Sequence, residues 1–290
     1  MSQNLPPDGA LFLDHTGHFV ADAAAATEAL GALGFAVTPF SAQVQPDPAT
    51  GQERLTGTGN ICVMLPEGYL EFLVHTADTP LGLEFKAALD QRAGLHLLAF
   101  GARDTEARHA ALQAAGHPMR PLVHFSREVD TETGAMTAAF TVARLQAGTM
   151  PEGRVQICTH HTEAAMWQPR WTAHPNGARR LQAMVISAPD PDETLARFSR
   201  FLGVAAKGRN LTLDRGGIEV MDETAATALT GRAVAPGRSA FVAVRVAVDD
   251  LDQIADFAQK AGVRTRRDHG CLVAGFAPAL GPGAWLFEQA

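Results

Sequence analysis

A repeated strand–helix–strands unit constrains this chain more than any other feature. A strand-like run, Asp14 to Val20, precedes an Ala-rich helix-like run, and Gly68 to Val74 closes the unit. The order recurs in Gly94 to Phe100, a helix-like run, two extended segments and Arg154 to His160. Self-similarity of this kind has to be read before anything else, because it fixes the architecture. Both copies carry a histidine in the first strand and a polar residue suited to metal ligation in the last. If the copies pair, His15, Glu71, His96 and Gln156 converge on one point.

Two further copies follow. The four expected helices are Ala21–Leu33, Thr105–Ala115, Asp192–Phe201 and Asp250–Ala261, stopped by Gly34, Gly116, Gly203 and Gly262. Asp22 is placed to cap the first of them. The third copy begins at Leu181–Ile186 and ends at Gly217–Met221, and the fourth begins at Ala240–Val246 and ends at Ala284–Glu288. Thr162 to Arg179, with Pro169, Pro175 and Gly177, does not repeat and reads as a connection between two domains, 1–165 and 180–290. A lone βαβββ unit leaves one apolar sheet face uncovered. Two units curving together bury it and form a cleft. The expectation is therefore an α+β chain of four βαβββ modules forming two half-open barrels.

Charge and cysteine content narrow the function. The net charge of −7 comes from 31 acidic and 24 basic residues with no basic stripe, which argues against a nucleic-acid partner. The three cysteines, Cys62, Cys158 and Cys271, are far apart and form no CxxC pair, so buried free thiols in a reducing cytoplasm are expected. The first ten residues lack a signal-peptide pattern, and no apolar run reaches membrane-spanning length.

The organisation, with Asp14-His15, Gly57-Thr58-Gly59-Asn60, Gly68-Tyr69-Leu70-Glu71, Asp78-Thr79-Pro80-Leu81, Gly94-Leu95-His96, Pro151 to Gln156 and His174 to Ala178, resembles the vicinal oxygen chelate superfamily. That superfamily includes glyoxalase I, methylmalonyl-CoA epimerase, extradiol dioxygenases and the bleomycin-resistance proteins. Within it the chain resembles the bacterial glyoxalase-like domain proteins. The resemblance implies a metal site at His15, Glu71, His96 and Gln156, with His160 as substitute for Gln156. It implies a divalent ion (Ni, Co, Mn, Zn or Fe), the ions that imidazole, carboxylate and amide oxygen suit. It further implies lyase or isomerase chemistry on a small oxygenated substrate through a metal-stabilised enediolate, with Glu71 as ligand or base. The third and fourth modules read as a degenerate barrel: Gln182 falls at the position of His15 and Glu219 matches Glu71, but no histidine follows in the fourth.

His160, His161, Trp167 and Arg170 cluster beyond the last strand of the second module, and with Asn60 they are the candidate substrate-binding residues. Arg170 would hold a substrate carboxylate, and His161 or His174 would act as general base. Interdomain packing of the tryptophans is the competing reading. Two rival functions stay open. One is an Fe²⁺ dioxygenase of the extradiol type using His15, His96 and Glu71. The other is a non-catalytic small-molecule-binding protein of the drug-resistance kind. The resemblance leaves open whether paired modules lie in one chain or exchange within a homodimer.

Overall fold

A computed structural model describes residues 4–47 and 50–290; the start of the expected 1–165 domain, residues 1–3, lies outside them. The first module comprises β1 (Phe12–Phe19), α1 (Ala23–Ala32), β2 (Ser41–Pro46), β3 (Glu53–Met64) and β4 (Tyr69–His75). Then α2 (Pro80–Gln91) leads into β5 (Gly94–Gly101), α3 (Thr105–Ala114), β6 (Val123–Thr131), β7 (Gly134–Arg144) and β8 (Arg154–His160). Short helices α4 (Glu163–Met166) and α5 (Pro169–Thr172) lie in the connection. The remaining chain runs β9 (Ala178–Ser187), α6 (Pro191–Leu202), β10 (Asn210–Thr212), β11 (Gly217–Met221), α7 (Glu223–Thr230), β12 (Ala240–Val248), α8 (Leu251–Lys260), β13 (Thr265–Asp268), β14 (Cys271–Gly275) and β15 (Ala284–Gln289).

The helices form where local chemistry favours them. Asp22, Asp104, Asp190 and Asp250 each accept a first-turn backbone N–H with the side-chain carboxylate. In α6, Leu195, Phe198, Phe201 and Leu202 form one buried stripe. Gly203 ends that helix in the left-handed conformation. Removing a buried aromatic from such a stripe, as in Phe198→Ala, costs about 3–5 kcal/mol. Two helices were not legible as repeats: α2, started by Thr79 accepting from the Gly82 N–H with Pro80 at the first turn, and α7, capped by Asp222.

The strands form two sheets, in the orders β2-β3-β4-β1-β5-β8-β7-β6 and β10-β11-β9-β12-β15-β14-β13. In each, the first strands of the two modules pair antiparallel at the centre, and each pairs parallel with its own module's last strand. The modules of the first sheet therefore pair within one chain. The two edges of that sheet approach each other, and Arg127 on β6 hydrogen-bonds Ser41 on β2. The third module is abbreviated, with only β10 and β11 after its helix. One continuous core joins the outward faces of both sheets to α1, α3, α6 and α8. The inward face of each sheet packs separately, so each sheet has its own concave side. Among the described residues, no helix is long and apolar enough to cross a membrane.

Register irregularities decide what those concave sides contain. Along β1, Leu13 pairs with Phe100 and His15 with Ala99, so Asp14 is an extra residue in the ladder. The bulge brings Asp14 and His15 to the same side, an outcome that simple alternation forbids. A second bulge lies on β5: Gly17 pairs with Leu97 and His18 with Leu95, leaving His96 unpaired. At Gly17 the two central strands approach so closely that a Cβ would stand 2.7 Å from the Leu97 Cβ.

Candidate metal centre

The concave side of the first sheet encloses a cavity of about 140 Å³. His15 from β1, Glu71 from β4 and Gln156 from β8 meet in its wall. All three sit on strands, which hold ligands more rigidly than loops. His15 is buried, and its Nδ1 lies 2.6 Å from Asp14 Oδ2. The carboxylate can only accept, so Nδ1 carries the proton and Nε2 presents a lone pair to the cavity. That lone pair faces Glu71 Oε2 at 3.9 Å and the Gln156 amide at 3.3 Å. Glu71 Oε1 accepts from Asn60 Nδ2 at 2.6 Å and from Gln43 Nε2 at 3.3 Å, so Oε2 is the oxygen turned to the histidine.

These donors fit a divalent ion. Bonds from such an ion to imidazole nitrogen and carboxylate oxygen measure about 2.0–2.2 Å, so one ion can bridge His15 Nε2 and Glu71 Oε2. Turning the Gln156 amide over offers its oxygen in place of its N–H. Asp14 supplies the carboxylate that typically fixes the tautomer of a ligating histidine. A second grouping, Asp14, His15 and Cys158, has potential ligand atoms within 4.8 Å of one another. It is the weaker candidate, because Asp14 is already committed as an acceptor. The Cys158 thiol lies 3.3 Å from Asp14 Oδ2 and the His160 Nε2 lies 3.1 Å from it. Burial, which alone would raise the Asp14 carboxyl, is outweighed by His160 and by these hydrogen bonds, and the group is held far below the usual carboxylate range. Burial, reinforced by Asp14, pushes the Cys158 thiol well up, away from the thiolate a metal needs.

His96 does not join this cluster. Register shows why. Glu71 pairs with Gly17 and Gln156 with Ala99, so two residues back His15 corresponds to Leu97, and His96 corresponds to Asp14. Leu97 therefore stands at the position that matches His15, and His96 is the extra residue of the β5 bulge. His96 Nε2 instead donates to the Arg92 carbonyl, and its ring stacks on Phe19 with centroids 4.6 Å apart. Burial, with Arg92 nearby, lowers it to about 4.

Among the expected substrate-binding residues, His160 and Asn60 line the cavity. Asn60 does so while orienting Glu71. His161, Trp167 and Arg170 lie outside it. His161 contacts Thr141 Oγ1 at 2.8 Å through Nε2. Trp167 donates to the Leu65 carbonyl and packs edge-on against His160 at 4.8 Å, partners within the first domain rather than between domains. Arg170 is exposed, bonds Gln168 and the Asp130 carbonyl, and lies over Trp171. It is therefore not the cavity's anion clamp. Tyr69, stacked on the His15 ring at 4.3 Å, was overlooked, as were Gln43, Arg127, Arg144 and Arg154. Alternation along β8, where Arg154, Gln156, Cys158 and His160 share a face, was the available signal.

The second sheet is built differently at the same place. Its register puts Ala183, not Gln182, at the position of His15, keeps Glu219 at that of Glu71, and puts Arg245 where the first sheet has Ala99. Arg245 grips Glu219 with two bonds of 2.7 and 2.8 Å, reaches Glu288 at 3.3 Å and approaches the Cys271 sulfur at 3.0 Å. Burial opposes its charge, but these partners raise its pKa above the ordinary arginine value. Val185, Ala243, Leu286 and Ala226 of α7 belong to one apolar cluster of this second sheet.

Paired βαβββ modules with a polar cluster on the central strands define a member of the vicinal oxygen chelate superfamily. The chain belongs to the glyoxalase-like domain family, whose model matches residues 13–202. Solved structures share the fold at low identity. A hypothetical protein from Staphylococcus aureus matches with 10% identity, covering 97% of this chain and 100% of that one, at a TM-score of 0.61. The Mn(II)-bound glyoxalase from Novosphingobium aromaticivorans matches at 14% identity over 97% and 84%, TM-score 0.56. A catechol 2,3-dioxygenase matches at 12% over 97% and 88%, TM-score 0.51. No curated protein matches the chain in sequence.

Proposed function

We propose that this chain is a divalent-metal-dependent enzyme of the lyase or isomerase kind, moving a proton beside a carbonyl of a small oxygenated substrate. The observation that carries this reading is the convergence of His15 Nε2, Glu71 Oε2 and the Gln156 amide on one cavity. The Mn(II)-bound glyoxalase among the similar folds supports it. A bound divalent ion supplies a Lewis acid for adjacent substrate oxygens and lowers the energy of charge that develops as a C–H proton leaves.

The protein's own groups divide the remaining work. Asp14 fixes the His15 tautomer. Asn60 and Gln43 hold Glu71 by one oxygen, leaving Oε2 to ligate or to take the substrate proton. Tyr69, whose hydroxyl is pushed well up by burial and by Asp14, stays protonated and closes one side of the His15 ring. The extradiol alternative is less well supported, since Leu97 stands where a second histidine is needed and His96 is turned away.

Elemental analysis of protein purified without chelators tests the proposal. We expect near-stoichiometric metal in the wild type, lost in His15→Ala and retained in His96→Ala. Metal absent from the wild type after reconstitution would leave the non-catalytic binding reading as the better account.

A further inference from the structure

The cavity carries an imbalance of charge that the metal donors do not explain. Three guanidinium groups, Arg127, Arg144 and Arg154, line it against one carboxylate, Glu71. A divalent ion there would widen the imbalance. Arg144 is the cross-strand neighbour of Gln156 in the β7–β8 register, and Arg154 lies two residues from Gln156 on the same face of β8. Opposed side chains such as Arg144 and Gln156 stand about 5 Å apart at Cβ, and Arg154 lies about 6.6 Å along the strand from Gln156. Both are therefore beside the proposed metal position.

Their usual partners are missing or shared. No described carboxylate lies within ion-pair distance of Arg144; its recorded contact is the Phe125 ring, 5.5 Å from the guanidinium carbon. Arg154 lies over the Phe19 ring at 5.2 Å and reaches Glu84 only at 3.9 Å, while that carboxylate bonds Arg120 at 3.0 Å. Arg144 is partly buried with Arg154 and Arg120 as neighbouring like charges, and the two carboxylates that act on it, Glu71 and Glu84, do so from beyond ion-pair distance. Each guanidinium thus lies beside an aromatic ring with no described carboxylate closer than 3.9 Å, and a guanidinium is the group that binds a carboxylate or phosphate bidentately. Arg127 is tied to Ser41 and serves as the outer wall.

We propose that the site takes a small 2-oxygenated acid bearing a second, distal oxyanion, which Arg144 and Arg154 hold while the vicinal oxygens face His15, Glu71 and Gln156. The chelating end of this assignment rests on the function proposed above; the arginine pair rests on its own geometry.

Calorimetry on the manganese-loaded full chain tests it with three probes that share a 2-hydroxy acid head: malate with a distal carboxylate, 3-phosphoglycerate with a distal phosphate, and lactate with neither. We expect malate or 3-phosphoglycerate to bind at least about tenfold tighter than lactate, as one good charge-assisted contact supplies. The tighter of the two identifies the oxyanion. Arg144→Gln and Arg154→Gln should abolish that preference with manganese content unchanged. Equal binding of all three probes to the wild type, no binding of either dianion, or a preference that survives in both variants would overturn the assignment. A chain that takes up no manganese yet prefers a dianion would sink the metal-dependent reading and leave the arginine assignment standing; manganese uptake without preference would do the reverse.

Discussion

The two sheets share a topology and a conserved glutamate position but hold opposite chemistry there. In the first, Glu71 faces a histidine lone pair, and the small Ala99 stands opposite His15. In the second, Arg245 grows from the position of Ala99 and closes on Glu219 and Glu288. A protein-borne cation thus occupies the place where the first sheet's donors fit an ion. The comparison teaches that one topology carries opposite chemistry when an arginine replaces a small central-strand residue and Ala183 and Leu286 stand where the first sheet has His15 and Gln156. Ala226 of α7 packs with the apolar residues of the second sheet.

The largest effect should come from the open site. His15→Ala or Glu71→Gln should lower metal affinity by more than about 100-fold, since loss of an outer partner alone costs 10–100-fold. Asp14→Asn, which removes only the tautomer anchor, should fall within that 10–100-fold range. Metal titration followed by elemental analysis separates the two classes. In the second sheet, Arg245→Met should destabilise by about 3–5 kcal/mol, because it strands two partly buried carboxylates. Metal content should not change. Denaturant unfolding measures this, and a Glu219→Gln/Arg245→Met/Glu288→Gln triple variant should recover most of the loss.

A smaller effect lies between the sheets. His18 is fully buried against Phe72, Phe276 and Trp285, and neither ring nitrogen has a hydrogen-bond partner among the described residues. Burial, with His96 and Arg92 adding to it, lowers its pKa from 6.5 to about 3. The folded pKa is depressed, so the unfolded chain takes up the proton first. The contribution of neutral His18 is present above pH 6.5 and is lost as pH falls from 6.5 towards 3, by up to about 1.4 kcal/mol per unit. His18→Phe should flatten that part of the stability profile. Unfolding curves between pH 7 and 4 check it; identical slopes in both proteins would count against the buried neutral histidine. The smallest change is expected for His96→Ala, about 1 kcal/mol of stability with metal retained.

The repeat, the Asp22 cap, the helix-stopping glycines and the α+β class were legible because they rest on local signals, whereas the caps at Asp104, Asp190 and Asp250 came from the structure. The bulges were not legible either. Asp14 and His96 each look like ordinary strand residues, and only the ladder between β1 and β5 reveals them as extras. Matching histidine to histidine across the repeat therefore set His96 against His15, whereas the fold sets it against Asp14. Arg170 misled for a related reason: an arginine near tryptophans reads as a clamp, but its partners were the backbone of Asp130 and the side chain of Gln168. Arg144 and Arg154 carried no local motif, and their meaning depends on β7 and β8 folding over the same cavity.

Anomalous diffraction from manganese-loaded crystals tests the central contrast most directly. The account predicts one peak within bonding distance of His15 Nε2 and Glu71 Oε2 in the first sheet, and none beside Arg245 in the second. A peak between Asp14 and Cys158, a peak beside Glu219, or no peak in either sheet would contradict it.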